Sequence, residues 1–355
     1  MTFRRAFAVF GALALTASLT TGSSAQDKNQ EQAQGQRKLS NDERREYDAL
    51  NNLVDAVMAG KQPAPADVKL KFQHHFLKSN DNVYVPYIIE VTGGTFSSFP
   101  VAMYVRAVKA APAGAVPAAA KPGDRSADKP ADWPFADVYF LTEKNVTTAG
   151  DVTEVPRALA LTPGEYTLHI AMRERQPKDK KQGPPKAVVH TQTLSVPDMN
   201  KALTTSSVIL AKGLDPAPEQ LTGQQQLEQP FTISGYRVTP AFTPTIQQSA
   251  ELLFVFFIYN EGVAASGKPD LDVEYNFFRA AEDKPFTKLA TQSFNATTLP
   301  GQFDLNAGHQ VFVGQGIPLK SPAMTFAPGD YRLEIKITDK TNSQTITRNV
   351  PFTVS

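Results

Sequence analysis

The chain has 355 residues, with 36 Lys+Arg against 35 Asp+Glu, 41% apolar residues, 22 Phe, one Trp and no Cys. A near-neutral balance supplies no concentrated cation field for a polyanion, which excludes a general nucleic-acid binder. The missing cysteine excludes a thiolate nucleophile, a thiolate zinc or iron–sulfur site and any disulfide. The length calls for about two domains, each able to bury a core without covalent staples.

Arg4 and Arg5 precede an apolar stretch from Ala6 to Leu19, and Ser23-Ser24-Ala25 offers the small residues of a signal-peptidase site. Residues 1–25 are therefore expected to be a cleaved export signal, leading to the periplasm or beyond. Arg4-Arg5 serves either the general route or a twin-arginine one. The apolar run is shorter than the roughly 20 residues that cross a bilayer, and no later run is longer, so no membrane span is expected. Residues 26–38, polar and without apolar periodicity, read as a flexible tether. Residues 39–61 read as an amphipathic helix. Ser40 and Glu43 form a capping-box pattern, Tyr47, Leu50, Val54 and Val57 recur at helical spacing, and Gly60 stops the run. The narrow stripe suits packing on a neighbouring domain, or docking on a partner.

Past Pro65 the period falls to two. Val83, Val85, Tyr87, Ile89 and Val91 alternate with less apolar neighbours, and Val101, Met103, Val105 and Ala107 repeat the alternation. Residues 138–141, 168–172 and 188–196 continue the series with no intervening helical pattern, which favours antiparallel sheets over a crossover-connected parallel one. An Ala/Pro-rich loop at 111–132 and a Lys/Pro-rich one at 176–186 interrupt the first half. Residues 252–259 are apolar on both parities, so one face belongs to a core and the other needs its own cover.

A phrase recurs. Leu161-Thr162-Pro163-Gly164-Glu165-Tyr166 and Phe326-Ala327-Pro328-Gly329-Asp330-Tyr331 match at an offset of 165, and each is followed by an alternating strand. Pro-Gly makes a tight turn, the acid stays in water, and Tyr166 or Tyr331 opens a strand whose inward residues are Leu168, Ile170 and Met172, or Leu333, Ile335 and Ile337. The phrase resembles the penultimate strand of immunoglobulin-like and fibronectin-type sandwiches, in which a tyrosine bonds back to the preceding corner. The resemblance implies two tandem antiparallel immunoglobulin-like β-sandwiches, at 67–199 and 203–355, with a short linker near Asn200. The segments 205–211, 236–240 and 254–260 resemble the accessory sandwich of secreted bacterial GWxTD-type and von Willebrand-related proteins. No Gly-Trp-x-Thr-Asp stretch and no Asp-x-Ser-x-Ser motif accompanies them. That resemblance implies an architecture and a bacterial origin, without a site.

Chemistry-bearing residues are few. The five histidines, His74, His75, His169, His190 and His309, lack chelating spacing: His74 and His75 are adjacent, while His169 and His190 carry opposite strand parities. Asp270, Asp272 and Glu274 alternate onto one strand face, a weak candidate for calcium against the simpler reading of a solvated outer face. No nucleophile elbow or phosphate loop is present, so no catalytic residue, cofactor or enzymatic activity is expected. Trp133, Phe135 and Tyr139, at the end of the Ala/Pro loop, are the candidate contact surface. The sequence thus points to an exported binding or scaffold protein with a protein partner, the alternatives being a carbohydrate-binding module or a calcium-dependent adhesion protein.

Overall fold

The computed structural model describes residues 39–355 apart from 94–95, 97–98, 111–132, 176–184, 218–220 and 323. The expected export signal, the tether and the Ala/Pro loop lie outside the described residues, as does most of the Lys/Pro-rich loop. The chain is mainly β and divides into two compact units. One holds residues 39–74 and Asn82–Asp198; the other holds His75–Asp81 and Met199–Ser355.

The first unit opens with α1 (Asn41–Met58), whose capping box forms as the sequence implies. The Glu43 amide donates to Ser40 Oγ at 3.3 Å, and the Ser40 amide donates to Glu43 Oε2 at 2.9 Å. Strands β1 (Lys69–His74), β3 (Asn82–Thr92), β4 (Val101–Lys109), β5 (Phe135–Leu141), β6 (Thr147–Ala149), β7 (Val152–Leu161), β8 (Gly164–Glu174) and β9 (Ala187–Val196) follow, while β2 (Leu77–Ser79) lies in the segment His75–Asp81 that is grouped with the second unit. One sheet runs β1-β3-β7-β6 and the other β5-β4-β8-β9. The predicted alternation places Val83, Val85, Tyr87, Ile89 and Val91 of β3, with Val101, Met103, Val105 and Ala107 of β4, in the core. β7 carries an internal proline and so reads poorly as a strand. Pro156 is tolerated because β6 pairs only with residues 152–154, leaving β7 a single neighbour from there onward among the described residues.

The second unit contains β10 (Thr204–Thr205), β11 (Ile209–Pro216), α2 (Gly223–Glu228), β12 (Thr232–Ile233), β13 (Tyr236–Pro240), β14 (Thr245–Ile246), β15 (Glu251–Tyr259), β16 (Leu271–Arg279), β17 (Thr287–Lys288), β18 (Gln292–Phe294), β19 (Val311–Pro318), β20 (Gly329–Asp339) and β21 (Gln344–Val354). One sheet is ordered β10-β15-β11-β13-β12 with β19 also on β15, and the other β14-β21-β20-β16-β17 with β18 also on β16. Leu252, Phe254, Phe256 and Ile258 face Tyr275, Phe277, Leu333, Ile335 and Phe352 in one apolar cluster. Among the described residues the pairing departs from strict antiparallel order once, where β14 joins β21 in parallel through Thr245↔Thr353 and Ile246↔Val354. On the second apolar face of β15, Val255, Phe257 and Tyr259 are buried. Phe257 packs on Phe312 with 5.2 Å between ring centroids, and Tyr259 Oη accepts the Lys78 amide at 3.2 Å.

The repeated phrase builds the same corner twice. Gly164 and Gly329 have φ of +149° and +147°, a conformation open to glycine and strained for other residues. Two residues on, the Tyr166 hydroxyl donates to the Thr162 carbonyl at 2.9 Å and the Tyr331 hydroxyl donates to the Ala327 carbonyl at 2.7 Å.

Candidate interaction surface

The outer face of β4 and β8 is apolar where it meets α1. Leu50 and Val54 are fully buried there against Ala102, Tyr104, Ala171 and Val189. Arg106 continues the outward parity of Ala102 and Tyr104 and is nevertheless only 1% exposed. Its guanidinium donates to Asp55 Oδ1 at 2.6 Å, to Asn51 Oδ1 at 2.7 Å and to Tyr104 Oη at 3.0 Å. The Trp133 ring lies over it with 4.6 Å from Cζ to the ring centroid. A buried charge persists only when its donors are satisfied, so this cluster pins α1 to the sheet. At the start of α1, a cleft of about 270 Å³ is lined by residues including Ser40, Asp42, Glu46, Phe140 and Arg175. Its charges are neutralised by the pairs Arg175–Asp42 and Arg173–Glu46.

On the inward parity of β5 sit Asp137 and Tyr139, and directly across β3 and β7 stand Tyr87 and Arg157. Arg157 is 2% exposed and Tyr87 is fully buried. Arg157 Nη1 donates to the Pro156 carbonyl at 2.7 Å, and Cζ lies 5.2 Å from the Tyr139 ring centroid. Arg157 Nε has no hydrogen-bond partner, while the Tyr139 hydroxyl interacts with the side chains of Asp137 and Tyr87. Asp137 Oδ1 accepts the amide of Val138 on its own strand at 2.8 Å. Burial raises the Asp137 carboxyl above the usual carboxylate range, and it raises both tyrosines as well. Sequence reasoning missed this cluster and Arg106. The available signal was a charged residue on core parity: Asp137 aligns with Leu141, and Arg157 with Val155 and Leu159.

The expected contact trio does not form one surface. Trp133 stacks on Arg106, on the side of the sheet that carries α1, whereas Tyr139 points into the sandwich beside Arg157. Phe135 and Trp133 are half-buried. The flat exposed row that stacks on a sugar is therefore not made by these rings, because strand alternation sends neighbouring aromatics to different environments.

Asp270, Asp272 and Glu274 do share a face, but each is engaged by a lysine of the C-terminal unit. Lys340 Nζ lies 3.5 Å from Asp270 Oδ1 and 2.9 Å from Asp272 Oδ2, and Lys336 Nζ lies 2.8 Å from Glu274 Oε1. Asp272 Oδ1 also accepts from Ser293 Oγ at 2.7 Å. The bonds from Lys340 and Ser293 hold the Asp272 carboxyl below its ordinary range. Cross-strand cations thus occupy the place where calcium was weighed. Among the described residues no group of three His, Asp or Glu could hold a metal ion.

The histidines are placed structurally. His74 stacks on Phe72 and His75 on Phe242, at 5.3 and 4.8 Å. His169 Nδ1 bonds Thr191 Oγ1 at 3.2 Å, and burial, followed by the charge of Arg106, lowers its basicity. His190 Nε2 lies 3.2 Å from Gln192 Oε1 on the opposite face of the hairpin, and His309 Nδ1 accepts the Asp304 amide at 2.9 Å. Tyr166 and Tyr331 occupy the two matched corners.

No family model matches the chain, and no curated protein matches it. Among solved structures it is similar to Escherichia coli alpha-2-macroglobulin in its native conformation, at 11% identity over 81% of this chain and 17% of that one, with a TM-score of 0.20. The same protein activated by porcine elastase gives 10% identity, 82% and 24% coverage and a TM-score of 0.21. A mutant of Salmonella alpha-2-macroglobulin gives 14%, 81%, 17% and 0.20. The chain spans about a fifth of the length of these proteins.

Proposed function

We propose that the chain is an exported, non-enzymatic protein-binding scaffold, whose first sandwich offers the free edge of β5 to an extended segment of a partner protein. One observation carries this reading: β5 pairs with β4 and with no other strand among the described residues. The Val138 amide bonds Asp137 and so points away from β4, and strand alternation turns the amides of Ala136 and Phe140 the same way. An edge of this kind recognises a peptide by main-chain hydrogen bonds, with side chains supplying specificity. Ala136 is exposed, and Trp133, at the entry to the strand, is half-exposed. The non-enzymatic reading rests on the sequence, which carries no nucleophile elbow and no phosphate loop. Export rests on the signal read in residues 1–25.

The test is affinity capture from the exported protein fraction with the signal-free chain, followed by mass spectrometry, using wild type and Ala136→Pro. Proline at 136 removes an outward amide and leaves the β4 ladder intact. A partner captured by wild type and lost with Ala136→Pro supports the reading. An unchanged set of captured proteins overturns it.

A further inference from the structure

The edge of β5 that is unpaired among the described residues carries its own stopper. A strand edge with unpaired amides invites pairing with any other chain, and an inward-facing charge on the edge strand is one of the ways proteins prevent it. Asp137 is such a charge: it stands on the core parity of β5 and holds the Val138 amide, the group that an incoming strand needs. Arg157 lies on the same side, with Cζ 5.2 Å from the ring centroid of Tyr139, two residues along β5 from Asp137, and its charge acts on the Asp137 carboxyl. It is 2% exposed, with Nε unpartnered, and is set opposite Tyr87 on the adjoining strand. Buried donors are normally satisfied, and a guanidinium left short of acceptors draws in the nearest carboxylate.

We propose that Asp137 guards the β5 edge, its carboxylate holding the Val138 amide in the free chain and passing to buried Arg157 when an added strand takes that amide. The inference deepens the proposed function by naming what controls the same edge. Its tests use this chain alone, so they stand or fall without any captured partner. Once the guard is gone, the segment that fills the edge is β5 of a second copy, since an antiparallel edge presents its own copy with an identical, complementary set of donors and acceptors.

Three measurements on the full chain decide it. Amide hydrogen exchange in wild type is expected to be slower at Val138 than at Ala136 by about tenfold or more, the factor that a hydrogen bond to a charged group supplies. Equal exchange at the two positions overturns the guard without any substitution. In sedimentation, wild type stays monomeric, Asp137→Ala associates to a dimer with rising concentration, and Asp137→Ala combined with Ala136→Pro returns to monomer. A folded Asp137→Ala that remains monomeric at every concentration overturns the proposal, as does a dimer indifferent to Ala136→Pro. In Arg157→Met the competing donor is absent, so exchange at Val138 slows relative to its neighbours in β5. Unchanged exchange there overturns the role of Arg157 as the receiving group.

Discussion

Tyr331 donates its hydroxyl proton to the carbonyl oxygen of Ala327 at 2.7 Å. Tyr166 makes the same bond to Thr162 at 2.9 Å, in the other of the two units. Each bond fixes the chain four residues back, so that the turn and the strand after it form one rigid corner. Replacing either tyrosine by phenylalanine keeps the ring in the core and removes the hydroxyl's bonds: the carbonyl bond alone at Tyr331, and at Tyr166 also the 2.8 Å contact with Thr162 Oγ1. Each variant is expected to lose about 1 kcal/mol, at the modest end because Thr162 and Ala327 are exposed and water can take over their carbonyls. The two losses should add in the double variant, since the sites have no common partner. Denaturant titration reads both.

The glycine of the same corner gives a sharper effect. Gly329 sits at φ +147°, and a Cβ there would meet no atom within 4 Å, so any cost of Gly329→Ala is backbone strain. The expected loss is about 1–3 kcal/mol. Gly301 also has open space around its Cβ position, without the positive φ. Gly301→Ala is expected to be neutral or slightly stabilising. Equal effects of the two substitutions would show that strain is not stored at this turn.

Arg106 and Asp55 form one ion pair but bear unequal weight. The Asp55 side chain is 52% exposed and returns to water when its partner goes, whereas Arg106 is buried and has two further acceptors and an aromatic ring on it. Asp55→Ala is expected to cost about 1 kcal/mol and Arg106→Ala about 3 kcal/mol. The added loss in Arg106→Ala should appear as faster amide exchange along α1, because the helix detaches before the sheets open.

Glu261 lends the C-terminal unit a pH dependence. Burial, reinforced by the nearby charge of Asp339, raises its carboxyl to about 7. Asp339 is itself fully buried and pinned by the amides of Gly262, Thr341 and Asn342. The folded chain therefore holds a proton on Glu261 that the unfolded chain releases near 4.5. Stability is greatest below the unfolded value and falls as pH rises towards 7. Between pH 5 and pH 8 the loss is expected to be about 2–3 kcal/mol, and Glu261→Gln should abolish that slope. A slope of opposite sign, or one that survives the substitution, contradicts this account.

Calcium is expected to leave the melting temperature unchanged. Lys340 and Lys336 already occupy the carboxylates of Asp270, Asp272 and Glu274, and a divalent ion would have to displace them. A rise in melting temperature that is lost in Asp272→Ala would show the opposite.

Much of the fold was legible in period-two alternation and in the repeated turn phrase, because both follow from local steric rules and burial of one strand face. Ser40 and Glu43 marked the start of α1 for the same reason. Segment His75–Asp81 was not legible as part of the C-terminal unit, since its bonds to Ser207 and Tyr259 span well over a hundred residues. The parallel pair of β14 and β21 involves two residues a strand and leaves no pattern. α2 had a signal, the Thr222 and Gln225 capping box, but its six residues are too few for periodicity. The candidate surface was harder to read. Trp133 and Tyr139 drew notice as aromatics, while the informative residues were charges set against the apolar pattern: Arg106, Asp137 and Arg157.

The central claim is that β5 receives a partner strand, and the most direct measurement is site-specific photo-crosslinking in the exported fraction. A photoreactive side chain replaces Ala136 on β5 in one variant and Ala149, exposed on the short edge strand β6, in another. The account predicts a discrete protein adduct from position 136, competed by unlabelled chain and absent from position 149. Adducts of equal yield and identity from both positions, or none from 136, would contradict it.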